Sequence, residues 1–199
     1  MPAELTALDI SLAAAAGVAI AAACGLRAFL PLLALSLGVR FGLLQVDPTA
    51  AWIAGTPATI ALVWATVLEL AADKVPAIDH LLDLVGTALR PLAAGLAGWL
   101  TFTGVHPAVG VAAGLVLGAG AMGVHMAKAK VRLGSSMLSL GTANPFLSFL
   151  EDAIAIGLAA MAILAPLAAL LGVALMVWAF RRKYRGPRRP AVVTPIARE

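Results

Sequence analysis

Twelve charged side chains lie in or beside the hydrophobic stretches of this chain: the acids Glu69, Asp73, Asp79, Asp83, Glu151 and Asp152, and the bases Arg27, Lys74, Arg90, Lys128, Lys130 and Arg132. His80 and His125 fall in the same stretches. An isolated charge at the centre of a membrane helix costs about 2.5–3.5 kcal/mol even on insertion scales, so such a set must face itself, water or a ligand. Spacing narrows the chemistry. Glu69 and Asp73 stand four residues apart, as do Asp79 and Asp83, so each pair projects from one helical face, and Arg90 lies two turns beyond Asp83 on the same stripe. Like charges on adjacent turns repel unless a cation, a basic partner or a proton intervenes.

Three arrangements meet that requirement. In the first, the acids and bases, equal in number, pair with one another and tie helices together. In the second, the carboxylates form a hard-cation or proton site, the metal being unspecified. In the third, Arg27, Arg90 and Lys128 hold an anionic group beside a helix N-terminus near Gly25 or Pro76. His80 next to Asp79 has the makings of a proton relay. His106 reads as a surface residue in a turn. Ser135, Ser136 and Ser148 have no His and acid in the pattern of a nucleophilic triad, and no cofactor is expected. The single cysteine, Cys24, excludes an intramolecular disulfide and a thiolate cluster and reads as a packing residue.

The elements that must position these groups follow from composition. Of 199 residues, 62% are hydrophobic and 12% charged, leaving too little polar surface for a water-soluble globule. A secreted disulfide scaffold, a disordered chain and a cytosolic enzyme are excluded. At about 20 apolar residues per crossing, the length accommodates an all-α, polytopic membrane bundle of about five hydrophobic segments, within a range of four to six, several of them interrupted. The first runs from Ile10 to Phe41. At about 48 Å as one helix it exceeds a bilayer core of about 30 Å, so a break is expected between Gly25 and Pro31. The second runs from Thr56 to Ala72, and the third from Pro76 to Leu100 with a kink at Pro91. Residues 101–107 form a turn. The fourth runs from Ala108 to about Met126, and its Gly110, Gly114 and Gly118 fall every fourth residue, a small-residue stripe for close helix packing. Leu133 to Asn144 reads as a loop or re-entrant stretch, and the last segment runs from Pro145 to Phe180 past a kink at Pro166. A faint internal repeat pairs residues 13–28 with 111–126, and Pro76, Leu81 and Asp83 with Pro145, Leu150 and Asp152.

Residues 1–180 are thus expected to form a single transmembrane domain. Residues 181–199 form a basic tail, expected to be disordered, with seven of the 14 Lys and Arg residues. The positive-inside rule puts that tail in the cytoplasm, beside anionic lipid headgroups, and Trp178 beside Arg181 reads as an interfacial anchor. The net charge of +4 comes from this tail, so no nucleic-acid partner is expected. The opening MPAELTALD lacks the basic start of a signal peptide, and the first segment is expected to remain in the protein. An outer N-terminus and five crossings would put Lys128, Lys130 and Arg132 outside, against the same rule.

GLRAFLP at 25–31, ELAADKVPAIDHLLD at 69–83, RP at 90–91, KAKVR at 128–132 and ANPFLSFLED at 143–152 together resemble the small bacterial membrane proteins catalogued as domain of unknown function 4126. The resemblance spans about Gly25 to Asp152. It implies a multi-pass membrane protein and assigns no activity; the inner (plasma) membrane is the expected location. Three functions fit the residues. The first is a small transporter or channel-like protein passing an ion or solute along Arg27, Glu69, Asp73, Lys74, Asp79, His80, Asp83, Arg90, His125, Lys128, Glu151 and Asp152. The second is a non-catalytic accessory or homo-oligomeric protein packing through the glycine stripe. The third is a Mg²⁺-dependent membrane enzyme acting on lipid phosphates through Asp79 and Asp83.

Overall fold

Each expected hydrophobic stretch is helical in the computed structural model, which describes residues 6–72, 74, 76–102, 106–139 and 142–184, apart from the side chains of 9, 10, 76–83, 183 and 184. The elements are α1 (Ala7–Leu26), α2 (Phe29–Arg40), a 3-10 helix (Pro48–Ala54), α3 (Thr56–Ala72), α4 (Pro76–Phe102), α5 (Pro107–Ser139), α6 (Asn144–Leu164) and α7 (Pro166–Tyr184). Prolines mark the starts. Pro76, Pro107 and Pro166 open their helices and Pro145 is the second residue of α6, positions at which a missing N–H is not needed. By length and composition α5 and α6 can each cross a bilayer, and the 3-10 helix with α3, bent by 52°, makes a third span if the pair is taken as one; α1 from Ser11 and α2 are shorter apolar helices.

Among the described residues the expected segments become seven α-helices because the first and the last each break. The first breaks at Arg27 and Ala28, within the expected stretch. The last breaks at Ala165, whose φ of −151° and ψ of 71° are not helical, because Pro166 disfavours the helical region in the residue before it. Leu158 Cδ2 lies 3.4 Å from where a Cβ on Gly172 would stand. Along one straight helix those residues would be about 21 Å apart, so α7 turns back along α6. The stretch expected as a loop from Leu133 is a second correction: α5 continues as helix to Ser139. Two of its hydroxyls are bonded there, Ser139 Oγ donating to the Ser135 carbonyl (2.7 Å) and Ser136 Oγ accepting from Asn144 Nδ2 (2.9 Å). At Pro91 the helix α4 is continuous.

At the centre stands α1, in contact with α4, α5, α6 and α7. Ala15, Ala16, Ala19, Ala22 and Ala23 are buried along it, and side chains this small let four neighbours close on one helix. Gly17 faces Leu117, and Gly25 faces Ala121 and Val124, so α1 and α5, which carry the two segments paired by the repeat, run side by side in the same sense. Opposed to α5 run α4, with Gly98 against Gly114, and α6, with Glu151 against Arg132. α2 follows α6: Arg27 before its start meets Asp152, and Gly38 near its end meets Ile163. The chain therefore reverses at Arg27–Ala28. Lys128, Lys130 and Arg132 lie at the end of the bundle where α7 reaches Arg181. The expected topology, with residues 145–180 as one segment, had put that cluster and the tail at opposite ends.

The glycine stripe is used inside the chain. Gly110, Gly114 and Gly118 are buried, and an added Cβ would stand 2.7 Å from the Gly95 carbonyl oxygen at Gly114 and 2.8 Å from that of Pro91 at Gly118. These contacts predict that Gly114→Val and Gly118→Val each lower stability by about 1–3 kcal/mol, as overpacking does. Gly120→Val, where a Cβ meets nothing within 4 Å, should stay within about 0.5 kcal/mol. Equilibrium unfolding in detergent distinguishes the two.

Candidate functional site

Arg27 is fully buried at the turn between α1 and α2. Its Nη2 lies 2.5 Å from Asp152 Oδ1 and donates to Ser148 Oγ at 3.0 Å. The α6 residues fall at i, i+3 and i+4, so Ser148, Glu151 and Asp152 share one face, about 6–12 Å along the helix from Asn144. Lys74, just past α3, donates to Ser148 Oγ (2.5 Å) and Asp152 Oδ2 (2.7 Å) and lies 4.4 Å from the Phe149 ring centroid. With 28% of its side chain exposed, it is the point at which this knot meets the exterior.

Glu151 is gripped from α5. Arg132 forks onto it, Nε to Oε1 at 3.1 Å and Nη2 to Oε2 at 2.8 Å, and Lys128 Nζ stands 3.0 Å from Oε2. Both bases belong to one buried stripe of α5, Gly110, Gly114, Gly118, Ala121, His125, Lys128 and Arg132, small at one end and basic at the other. Lys130 points outward and is exposed.

The helix ends at the turn are complemented in opposite senses. Lys128 Nζ donates to the Leu26 carbonyl at 3.4 Å, placing a cation at the negative end of α1. Glu69 accepts from the backbone N–H groups of Ala28 (2.8 Å) and Phe29 (3.1 Å), placing a carboxylate at the positive end of α2. The turn is thereby fixed from α3, α5 and α6 together. Nearby, buried Arg90 contacts His125 Nδ1, and Thr87 Oγ1 lies 3.2 Å from His125 Nε2. Arginine only donates, so the ring accepts from Arg90, and Arg90 and Thr87 hold the imidazole between them.

Of the residues singled out by spacing, Arg27, Lys74, Lys128, Glu151 and Asp152 meet in one cluster, Glu69 caps the adjoining helix, and Arg90 pairs with His125. Asp73 and the side chains of Asp79, His80 and Asp83 lie outside the described residues. His106 is exposed in a turn, as expected, with Nδ1 accepting from Ala108 N–H. Sequence reasoning missed Thr87 and weighed Ser148 only as a nucleophile. The signal for Ser148 was present, since it precedes Glu151 and Asp152 by three and four residues. Its hydroxyl oxygen accepts from both Arg27 and Lys74 and so joins the two bases. Among the described residues no three His, Cys, Asp or Glu side chains group closely enough to hold a metal ion.

Removing one partner of a buried pair leaves the others unbalanced, at a cost of about 3–5 kcal/mol. Glu151→Gln, which strips the carboxylate from Lys128 and Arg132, should therefore lower the detergent melting temperature more than Lys74→Met, whose side chain is partly exposed. Equal losses would show that burial does not set the strength of the knot.

The sequence was compared with known proteins. Residues 14–185 match the model of a family described as Domain of unknown function (DUF4126). No curated protein and no solved structure matches the chain. With most of its helical bundle inside that match, the chain belongs to the DUF4126 family, and it is a membrane protein of apolar helices.

Proposed function

We propose that this protein moves a small ion or solute across a bacterial inner membrane through the charged cluster at the α1–α2 turn. The observation that carries the reading is the broken helix pair itself. Two helix ends of opposite polarity meet within the bundle, and buried charged groups converge on them from three other helices. Helix breaks of this kind supply transporters with backbone groups and dipole ends for binding a charged cargo. Lys128 and Glu69 stand at the two positions a cation and an anion would take, so cargo would compete with these side chains. Asp73, Asp79, His80 and Asp83 are proposed to continue the pathway. The accessory reading loses support because α4 already packs on Gly114 and Gly118 of the stripe.

In this reading the C-terminus is cytoplasmic and its basic tail lies against anionic headgroups. Trp178, whose ring has Arg182 at 5.2 Å, anchors the end of α7 at the interface. A C-terminal reporter active only in the cytoplasm should be active, and a thiol placed at exposed Leu43, in a Cys24→Ala background, should react from the opposite side.

Liposomes holding the protein should take up one of protons, divalent metals or small anions faster than empty liposomes, and Glu69→Gln should slow that uptake severalfold. If nothing moves, transport is wrong. If Glu69→Gln and Asp152→Asn both leave flux unchanged, the site is wrong.

A further inference from the structure

A single oxygen, Glu151 Oε2, has three cations around it: Arg132 Nη2 at 2.8 Å, Lys128 Nζ at 3.0 Å and Arg27 Nη2 at 3.9 Å. Two of the three are guanidiniums, which keep their proton in a protein, so Lys128 alone among them can change its charge. Its own partners are few. An ammonium carries three N–H donors, and among the described residues Lys128 meets only a carboxylate oxygen already held by Arg132 and the Leu26 carbonyl 3.4 Å away. With 1% of its side chain exposed, it has almost no contact with water to make up the difference.

Charged and titratable groups surround Lys128 from each helix packed on α5. The α1–α2 turn brings Arg27, α4 brings Arg90, and α6 brings Glu151, with Asp152 beyond it on Arg27. Along α5 itself stand Arg132 and His125, whose ring accepts from Arg90. The side chains of Asp79, His80 and Asp83 on α4 lie outside the described residues.

Loss of the Lys128 proton would leave the carboxylate held, because Arg132 keeps its fork on both Glu151 oxygens. The effect falls on α1 instead. The cation opposite the Leu26 carbonyl disappears, and the negative end of α1 stands uncompensated at the turn. Glu151, with 12% of its side chain exposed, touches Lys128 and gives the proton its way to water.

We propose that Lys128 is a proton-binding site that controls the α1–α2 turn. With its proton it ties the end of α1 to α5 and α6; when the proton passes to water beside Glu151, the turn opens. As a coupling device it rests on the transport reading and names the proton as the ion exchanged with the cargo, whereas as a proton site it stands on the geometry alone.

The full chain in lipid nanodiscs is followed by hydrogen exchange, read by mass spectrometry on a peptide covering residues 26–29, as pH is raised from about 6 to about 10. After correction for the pH dependence of exchange itself, the parent should lose about 10-fold in protection in a one-proton step, the size of a charge at a partly buried helix end. Lys128→Arg is charged at every pH and should stay protected throughout, while Lys128→Met never carries the charge and should stay open throughout. An ion pair with a structural role only gives no step in the parent. A flat parent profile, or a step that persists in Lys128→Arg, would overturn the proposal. Where Lys128→Arg does not fold, Lys128→Met decides, since a step that survives removal of the amine belongs to another group. Absence of flux while the turn still opens with pH would overturn transport alone.

Discussion

A guanidinium removed from water keeps its charge, because arginine does not deprotonate in proteins, and so it must find its counter-charge inside the fold. Arg27 imposes that condition on the bundle. Its carboxylate arrives on α6, the same α6 face brings Glu151, and Glu151 draws Lys128 and Arg132 from α5. Once those contacts are made, the relative heights of α1, α5 and α6 are set to within a side chain's reach. The alanine-rich body of α1 adds close packing but little specificity of height, since alanines slide past one another with few steric landmarks.

The two halves of the molecule are thus held by different physics. Toward the α4–α5 connection, glycine backbones touch directly, Gly95 and Gly98 against Gly114 and Pro91 against Gly118. There the gain is dispersion and closeness, which lipid cannot reproduce. Toward the basic end, ion pairs take over along the same face of α5. Isolated buried pairs are weak evidence for stability, because desolvation offsets their attraction. Their value here is selectivity among arrangements: a shifted helix would strand a charge in hydrocarbon.

Much of this was legible in the residues. Thr56–Ala72 has the expected bounds because proline and polar residues flank an uninterrupted apolar run. The break near Arg27 followed from length and from Gly25, and the glycine stripe from its spacing. The direction of the chain after a break was not legible. Periodicity carries no information on whether α2 continues α1 or doubles back, and that depends on Glu69 and Asp152, which are distant in sequence. Residues 133–139 misled for a related reason. Gly and Ser lower helix propensity, yet the Ser139 hydroxyl bonds within the helix, Ser136 is bonded from α6, and tertiary contacts at Arg132 hold the preceding turn. Pairing partners were also beyond reach: equal numbers of acids and bases do not say that Glu151 serves Arg132 and Lys128 while Glu69 serves a backbone.

The separation between Arg27 and its Ser148 partner, 121 residues, has a meaning for how the protein is made. A ribosome adding about 5–20 residues per second needs about 6–24 s between the two, long after the first helix has left the exit tunnel. Through that interval Arg27 has neither Ser148 nor Asp152, and it resists burial in hydrocarbon. Until α6 is synthesised the Arg27 guanidinium must stay hydrated, at the membrane surface, which a residue just past the end of α1 can reach, or in the insertion machinery. The order of synthesis thus makes closure of the α1–α2 turn a late event, and the last third of the chain completes what the first residues begin.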